Sequence, residues 1–250
     1  MSETFTDVLV DRLDNVMLIT LNRAAKKNAI STQMYQALTA ALKEAVDDFG
    51  IRAVVLTGSG GVFTAGNDIK DFAQNIPTDS SAPGFKFIEA LHNFPKPLIA
   101  AVEGNAVGIG TTALLHCDLV YASDSAVFSM PFVTLGLVPE AGSSYLFPAR
   151  VGYAKAAEIF LTGRSFSSGE ALVMGLVNEI AMNPLESALE AAGKIAKQPP
   201  TAVINTKALM KSGHHNQVTA IMNAEGEMFR IALQSDEAQS AFAKFLGFGE

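Results

Sequence analysis

Charged residues are scarce in this chain: Asp, Glu, Lys and Arg make up 17% of it, against 49% apolar residues. A soluble chain of that composition buries much of its surface, in a core and in subunit contacts alike. Basic runs are missing as well. The net charge of -7 comes without a stripe of Lys and Arg, so nothing in it would neutralise a nucleic-acid backbone, and nucleic acid is not an expected partner. Cys117 is the lone cysteine, which excludes an internal disulfide and is compatible with a reducing compartment. Its plain reading is core packing. No segment is continuously apolar for long enough to cross a bilayer, and no membrane partner is expected. Met1 to Val10 carries two acids and no long apolar stretch, so it reads as the start of the domain and not as a targeting peptide. The Gly247-Phe248-Gly249-Glu250 end lacks a Ser-Lys-Leu type of address. A cytoplasmic enzyme is the expectation.

Several chemistries also lack their signatures. There is no G-x-S-x-G elbow for a serine nucleophile, no Gly-Lys-Ser/Thr of a nucleoside-triphosphate loop, and no complete G-x-G-x-x-G in the loop from Gly104 to Gly110. His92, His116, His214 and His215 show no metal-ligand spacing. Neighbours such as His214 and His215 are expected on different sides of a helix, so no metal site is expected.

What is present is an alternation of strands and helices. At 250 residues the chain fits one α/β domain with a helical tail. Val8-Leu9-Val10 and Val16 to Ile19 flank the turn pair Asp14-Asn15, predicting a hairpin. After Ser31, apolar Met34, Leu38, Leu42, Ala45 and Phe49 recur at helical spacing until Gly50. Ala53 to Leu56, Leu98 to Val102, Asp118 to Ala122 and Ala126 to Met130 read as strands, with Asp118 and Asp124 as turn residues at strand ends. Helices are predicted over Tyr153 to Leu161, Ser167 to Met174, Pro184 to Lys197, Thr201 to Lys211 and Ser235 to Leu246. Capping chemistry at Ser167/Glu170 and Asn183-Pro184/Glu186 and a stop at Gly175 delimit them. In this second half only Leu176 to Ile180 is strand-like. Gln74 to Gly84, rich in Ser, Pro, Asp and Thr, is the candidate mobile loop.

Two glycine-containing turns follow buried strands: Gly58 to Asp68, and Gly104 to Gly110. A strand, a glycine turn and a helix start together aim free backbone N–H groups at one point, as an oxyanion or a phosphate requires. Taken singly, either loop is equally well a set of tight turns.

Ordered matches extend over nearly the whole chain: Asn22-Arg23 with Lys27-Asn28-Ala29, Phe63 to Asp68, Lys96-Pro97-Leu98-Ile99-Ala100-Ala101-Val102, and Gly136-Leu137-Val138-Pro139. In these the chain resembles the crotonase, or enoyl-CoA hydratase/isomerase, superfamily. The resemblance implies a spiral of ββα turns at 1–195, a C-terminal helical trimerisation region at 196–250, and a homotrimer or dimer of trimers. It also implies an acyl-CoA thioester substrate with no further cofactor, coenzyme A being part of the substrate. By position, the N–H groups of Asn67 and Ile109 would form the oxyanion hole. Lys27, Ala29, Ala65, Asp68, Ile69, Gly108, Phe132 and Leu137 would line the substrate. Of these, Lys27 is the expected phosphate partner, unless it is only a solvated surface charge. Asp68 would orient the oxyanion loop, or more economically cap a turn.

The pattern departs from the superfamily where hydratases carry two glutamates, because this sequence has Thr112 and Phe132 there. Adding water needs one group to activate the water and another to manage the α-proton, so hydration is demoted. Glu140 stands where the peroxisomal type of enoyl-CoA delta isomerase carries its catalytic glutamate, and as catalytic residue it would shuttle one proton from the α- to the γ-carbon of a β,γ-unsaturated acyl-CoA in fatty acid degradation. Otherwise Glu140 would merely complement the dipole of a helix beginning near Ala141. The alternatives are a hydratase or other crotonase-type reaction, and a non-catalytic acyl-CoA-binding protein. Phe132, Leu137 and Val138 are compatible with a raised Glu140 pKa.

Overall fold

A computed structural model describes residues 7–75, 77, 79–245 and 247 of the chain. β1 (Val8–Leu13) and β2 (Val16–Leu21) pair antiparallel with Leu13 opposite Val16, and Asp14 takes the left-handed conformation (φ 54°) that such a tight turn favours. α1 (Thr32–Asp47) starts at Ser31, whose side chain accepts from the Met34 N–H, and it buries Met34, Leu38, Leu42 and Ala45. Phe49, read as the end of that apolar stripe, is instead 90% exposed. The helix stops at Asp47, so Phe49 no longer shares its face.

The chain continues through β3 (Ala53–Gly58), α2 (Ile69–Gln74), α3 (Pro83–Asn93), β4 (Leu98–Val102), β5 (Asn105–Val107) and α4 (Ile109–Thr112). Next come β6 (Leu119–Ala122), β7 (Val127–Ser129), α5 (Ser143–Val151), α6 (Tyr153–Thr162), β8 (Phe166–Ser167), α7 (Ser168–Val173) and β9 (Glu179–Ile180). The C-terminal helices are α8 (Pro184–Ala196), α9 (Pro200–Ser212), α10 (His215–Leu233) and α11 (Asp236–Phe245). The capping box at Ser167/Glu170 and the cap at Asn183 are formed, and Gly175 has φ 72°.

Helices α3 and α10 and the short strands β5 and β8 are not expected from the sequence. Pro83 and Gly84, read as loop, open α3, where a proline in the first turn costs no helical hydrogen bond. Ile76 and Thr78 of that expected loop, and Leu246 of the last expected helix, lie outside the described residues. The strand expected over Leu176 to Ile180 shrinks to two residues, because the N–H groups of Leu176 and Val177 turn back to Ala171 O (2.9 and 3.2 Å).

One sheet has the order β1-β2-β3-β4-β6-β9, parallel except for its opening hairpin. A smaller sheet, β5-β7-β8, lies beside it. Alternate residues of the large sheet serve two cores. Val54, Leu56, Leu98, Ala100 and Val102 join the main core, while Ala53, Val55, Ile99 and Ala101 face Ala188 and Ala192 of α8. Burial on both faces is why these strands read as unbroken apolar runs. This is the α/β spiral with C-terminal helices that the resemblance implies. Among the described residues no helix is long and apolar enough to cross a membrane.

Lys96 and Asp118 have structural work at the ends of the large sheet. The buried Lys96 ammonium donates to Ala45 O (2.5 Å) and Asp48 O (2.9 Å), the open carbonyl end of α1. Asp118 accepts from the Leu98 N–H (2.8 Å) and from Lys207 Nζ of α9 (2.6 Å), so it is more than the turn residue the sequence indicates.

Candidate active site

The two glycine loops are bound to each other. Thr64 N–H donates to Asn105 O (2.9 Å), and Val107 N–H donates to Thr64 O (3.0 Å). Gly66, at φ 86°, sits so close to the second loop that a Cβ there would stand 2.7 Å from Val107 O. The N-terminal motif braces the first loop. Buried Asn28 receives the Arg23 N–H (2.8 Å) and donates to Ser59 O (2.9 Å) and Val62 O (2.6 Å). Arg23 Nη1 donates to Asp68 Oδ2 (2.6 Å) and Ala29 O (3.0 Å).

Ile109 is the first residue of α4, and the opening N–H groups of a helix have no partner inside it. No hydrogen bond occupies the N–H of Asn67 or of Ile109 among the described residues. The Asn67 side chain is fixed by the Tyr35 hydroxyl, which donates to Oδ1 at 2.5 Å. Burial, then the nearby charges of Glu140 and Asp71, push the Tyr35 phenol up from its ordinary value and keep it a neutral donor.

Glu140 is buried, 7% exposed. Thr112, the last residue of α4, donates its hydroxyl to Glu140 Oε1 at 2.6 Å. One short helix thus opens with the Ile109 N–H and closes on the carboxyl. Burial pushes the Glu140 carboxyl up to about 8; the Thr112 hydroxyl pulls it back down and the charge of Glu225 adds to the rise. A carboxyl tuned near neutrality can both take and return a proton.

Glu140 and Asn67 line one mostly apolar cavity with Ile30, Tyr35, Phe72 and Phe85. Ile109 is not among its lining residues. Glu140 also borders a second cavity of about 650 Å³ against α10. The other expected binding residues line neither. Phe132 and Leu137 are buried in the main core and joined by the bond from Leu137 N–H to Phe132 O (2.9 Å). Gly108 (φ 55°) precedes α4 and donates its N–H to Ser129 O. Ala65 donates to the carbonyl of Lys27, whose side chain is exposed and enters no ion pair among the described residues. Ile69 begins α2, and Asp68 caps it by accepting from the Lys70 and Asp71 N–H groups, the economical role the sequence favours.

Tyr35, Thr112 as a partner of Glu140, and the long-range contacts of the Glu140 turn are absent from the sequence reading. Tyr35 stands beside buried Met34 on an amphipathic helix and carries no local mark of a site. The histidines also depart from expectation. His214 precedes α10 instead of lying within it, so His214 and His215 line the same small cavity with His92 and His116. His92 stacks on His215 with ring centroids 4.3 Å apart. Among the described residues no group of three or more His, Cys, Asp or Glu is placed to hold a metal ion.

Known proteins resemble this chain in sequence and in fold. Residues 11–248 match the family described as Enoyl-CoA hydratase/isomerase. Enoyl-CoA delta isomerase 2 of Rattus norvegicus is 38% identical over 247 residues, covering 96% of this chain but 63% of that protein. The chain therefore spans less than two thirds of that relative's length. The 2,3-dehydroadipyl-CoA hydratase of Escherichia coli (strain K12) is 31% identical over 244 residues, 96% of each chain. Among solved structures, OdaA of Pseudomonas aeruginosa is 42% identical with a TM-score of 0.94, covering 96% of this chain and 98% of that one. With bound glycine loops, a buried carboxyl and a family match along nearly its whole length, the chain belongs to the enoyl-CoA hydratase/isomerase family.

Proposed function

We propose that the protein is an enoyl-CoA delta isomerase that moves the double bond of a β,γ-unsaturated acyl-CoA to the α,β position. The observation that carries this reading is the bond between Thr112 and Glu140. Where the superfamily's hydratases hold a carboxylate, this chain has a hydroxyl, and it is spent on Glu140, one of two carboxyls that border the cavity with Asn67; the other, Asp71, is taken up by Thr32, whose N–H and hydroxyl both donate to its Oδ2 (2.7 Å each). A single carboxylate serves a proton shuttle along one face of the substrate, whereas hydration needs two acid–base groups.

In the proposed reaction Glu140 removes the α-proton, and negative charge moves to the thioester oxygen. The N–H groups of Asn67 and Ile109 stabilise it; each such donor contributes about 3–4 kcal/mol. The resulting dienolate takes the proton back from Glu140 at the γ-carbon. Binding of the CoA part is assigned to Lys27 and Ala29 of the N-terminal motif and to Ala65 on the first loop, and acyl contact to Ile69, Phe132 and Leu137. The delta isomerase relative supports the reading. Exposed Leu209, Met210, Met228 and Ile231 on α9 and α10 support self-association as a trimer or dimer of trimers, and light scattering tests it.

A hydratase reading draws on the E. coli relative, which aligns end to end. A paired assay separates the two: conjugation of a medium-chain β,γ-enoyl-CoA, and hydration of an α,β-enoyl-CoA, by the wild type and Glu140→Ala. Fast isomerisation lost in the variant, with little hydration, is the expected result. Dominant hydration, or a variant that works as well as the wild type, overturns it.

A further inference from the structure

Glu140 is carried by an unfavourable piece of backbone. Ala141 has φ 62° and Gly142 φ 70°, two successive left-handed residues. A non-glycine residue held there is strained and persists only where its surroundings enforce it. Two buried side chains from distant segments grip this turn. Glu225 of α10 accepts the Gly142 N–H at Oε2 (2.6 Å) and the Ser144 N–H at Oε1 (2.8 Å). Gly142 is the N-cap of α5 and has no side chain to satisfy the opening N–H groups, so α10 supplies the capping carboxylate from outside. There is little room for a side chain at this cap: a Cβ on Gly142 would lie 2.9 Å from Val218 Cγ1 of α10.

The second grip comes from the stretch just after α4. His116 Nε2 lies 2.7 Å from Ala141 O. A carbonyl only accepts, so Nε2 carries the proton. Burial holds the imidazole at about 3, so it stays neutral and keeps this one tautomer across the working range. His116 follows Thr112, which bonds the Glu140 carboxyl itself. The Glu140 side chain and the peptide that carries it are thus both tied to the segment that begins with Ile109.

From this geometry we infer that Glu225 and His116 are positioning residues for the isomerisation: they hold the left-handed Ala141-Gly142 turn that aims Glu140, without touching the substrate. The inference rests on Glu140 being the acid–base group. Misplacing a reacting group by about 1 Å costs on the order of a hundredfold in rate, and the loss falls on the chemical step.

The test is steady-state isomerisation of a β,γ-enoyl-CoA by Glu225→Gln, His116→Leu and His116→Gln, with Glu140→Gln alongside and thermal unfolding measured for each. Glutamine at 225 offers one acceptor and turns an N–H donor toward the second amide, so kcat should fall about ten- to a hundredfold with KM within about twofold. His116→Leu should fall likewise, while His116→Gln, which can still donate to Ala141 O, should recover most of the rate. Folded Glu225→Gln with wild-type kcat, or His116→Leu and His116→Gln equal in kcat, overturns the inference. If Glu225→Gln does not fold, the His116 pair decides. An indifferent Glu140→Gln would instead sink the role of Glu140; Glu140→Gln inactive with Glu225→Gln fully active sinks only the positioning role.

Discussion

The large sheet and the Glu140 turn solve opposite problems. In β3 and β4 every residue from Val54 to Leu56 and from Leu98 to Val102 is buried, apolar and paired along its strand. Nothing in the sheet is strained, and its partners repeat at regular offsets. In the Glu140 turn buried polar Glu140 and Ser143 flank Ala141, two residues have positive φ, and the bonds that anchor the turn to the rest of the molecule reach far along the chain, to Thr112, His116 and Glu225. The sheet is stabilised by area removed from water; the turn is held by a few directional contacts and keeps an acid where water would have ionised it. The first region sets how firmly the molecule folds, and the second where one proton sits.

Substitutions should separate these roles. The largest effect is expected for Glu140→Gln, an activity loss of about 10²–10⁴-fold, measured by isomerisation of a β,γ-enoyl-CoA. Its stability should move the other way. The folded pKa of about 8 lies above the ordinary 4.5, so the folded state holds a proton that the unfolded chain releases. The stability associated with that proton is complete below pH 4.5 and is lost as pH rises toward 8. Unfolding midpoints measured from pH 5 to 9 should therefore converge less steeply downward in the variant. Wild-type kcat/KM should rise with pH through about 8, since the base must be ionised.

Ile99→Ala makes the contrast from the sheet side. It should cost about 2–5 kcal/mol in denaturant unfolding while leaving kcat per folded molecule unchanged. Thr112→Val removes the bond that favours the Glu140 carboxylate. A loss of roughly 1 kcal/mol should appear as a several-fold slower rate at neutral pH and an alkaline shift of the pH profile. Phe49→Ser should be the least consequential, within about 0.5 kcal/mol in unfolding, because Phe49 projects into solvent.

This contrast also explains what the sequence revealed. The hairpin, α1, the central strands and the helix caps are legible because each rests on neighbours a few residues away: Asp14 with Asn15, Ser31 with Met34, Ser167 with Glu170. Asn67, Ile109 and Glu140 stand out only through a resemblance spread along the chain, not through local pattern. α10 escaped because its buried residues, Val218, Glu225, Phe229 and Leu233, are sparse and one is charged. Glu225 lies 83 residues from the amide it binds, and no periodicity marks such a pair. Phe49 failed for the opposite reason, since its spacing fitted a helix that had already ended.

Lys207 draws a last distinction, within the C-terminal helices. It is the buried residue of α9, donating to Lys96 O (2.7 Å) and Asp118 Oδ2 (2.6 Å), whereas α10 is seated by Val218, Phe229 and Leu233. A helix moored by one ammonium group can let go without uncovering the apolar interior. Its amide hydrogens should then exchange with solvent through local opening, well ahead of those in β3 and β4, which wait for the whole fold to come apart.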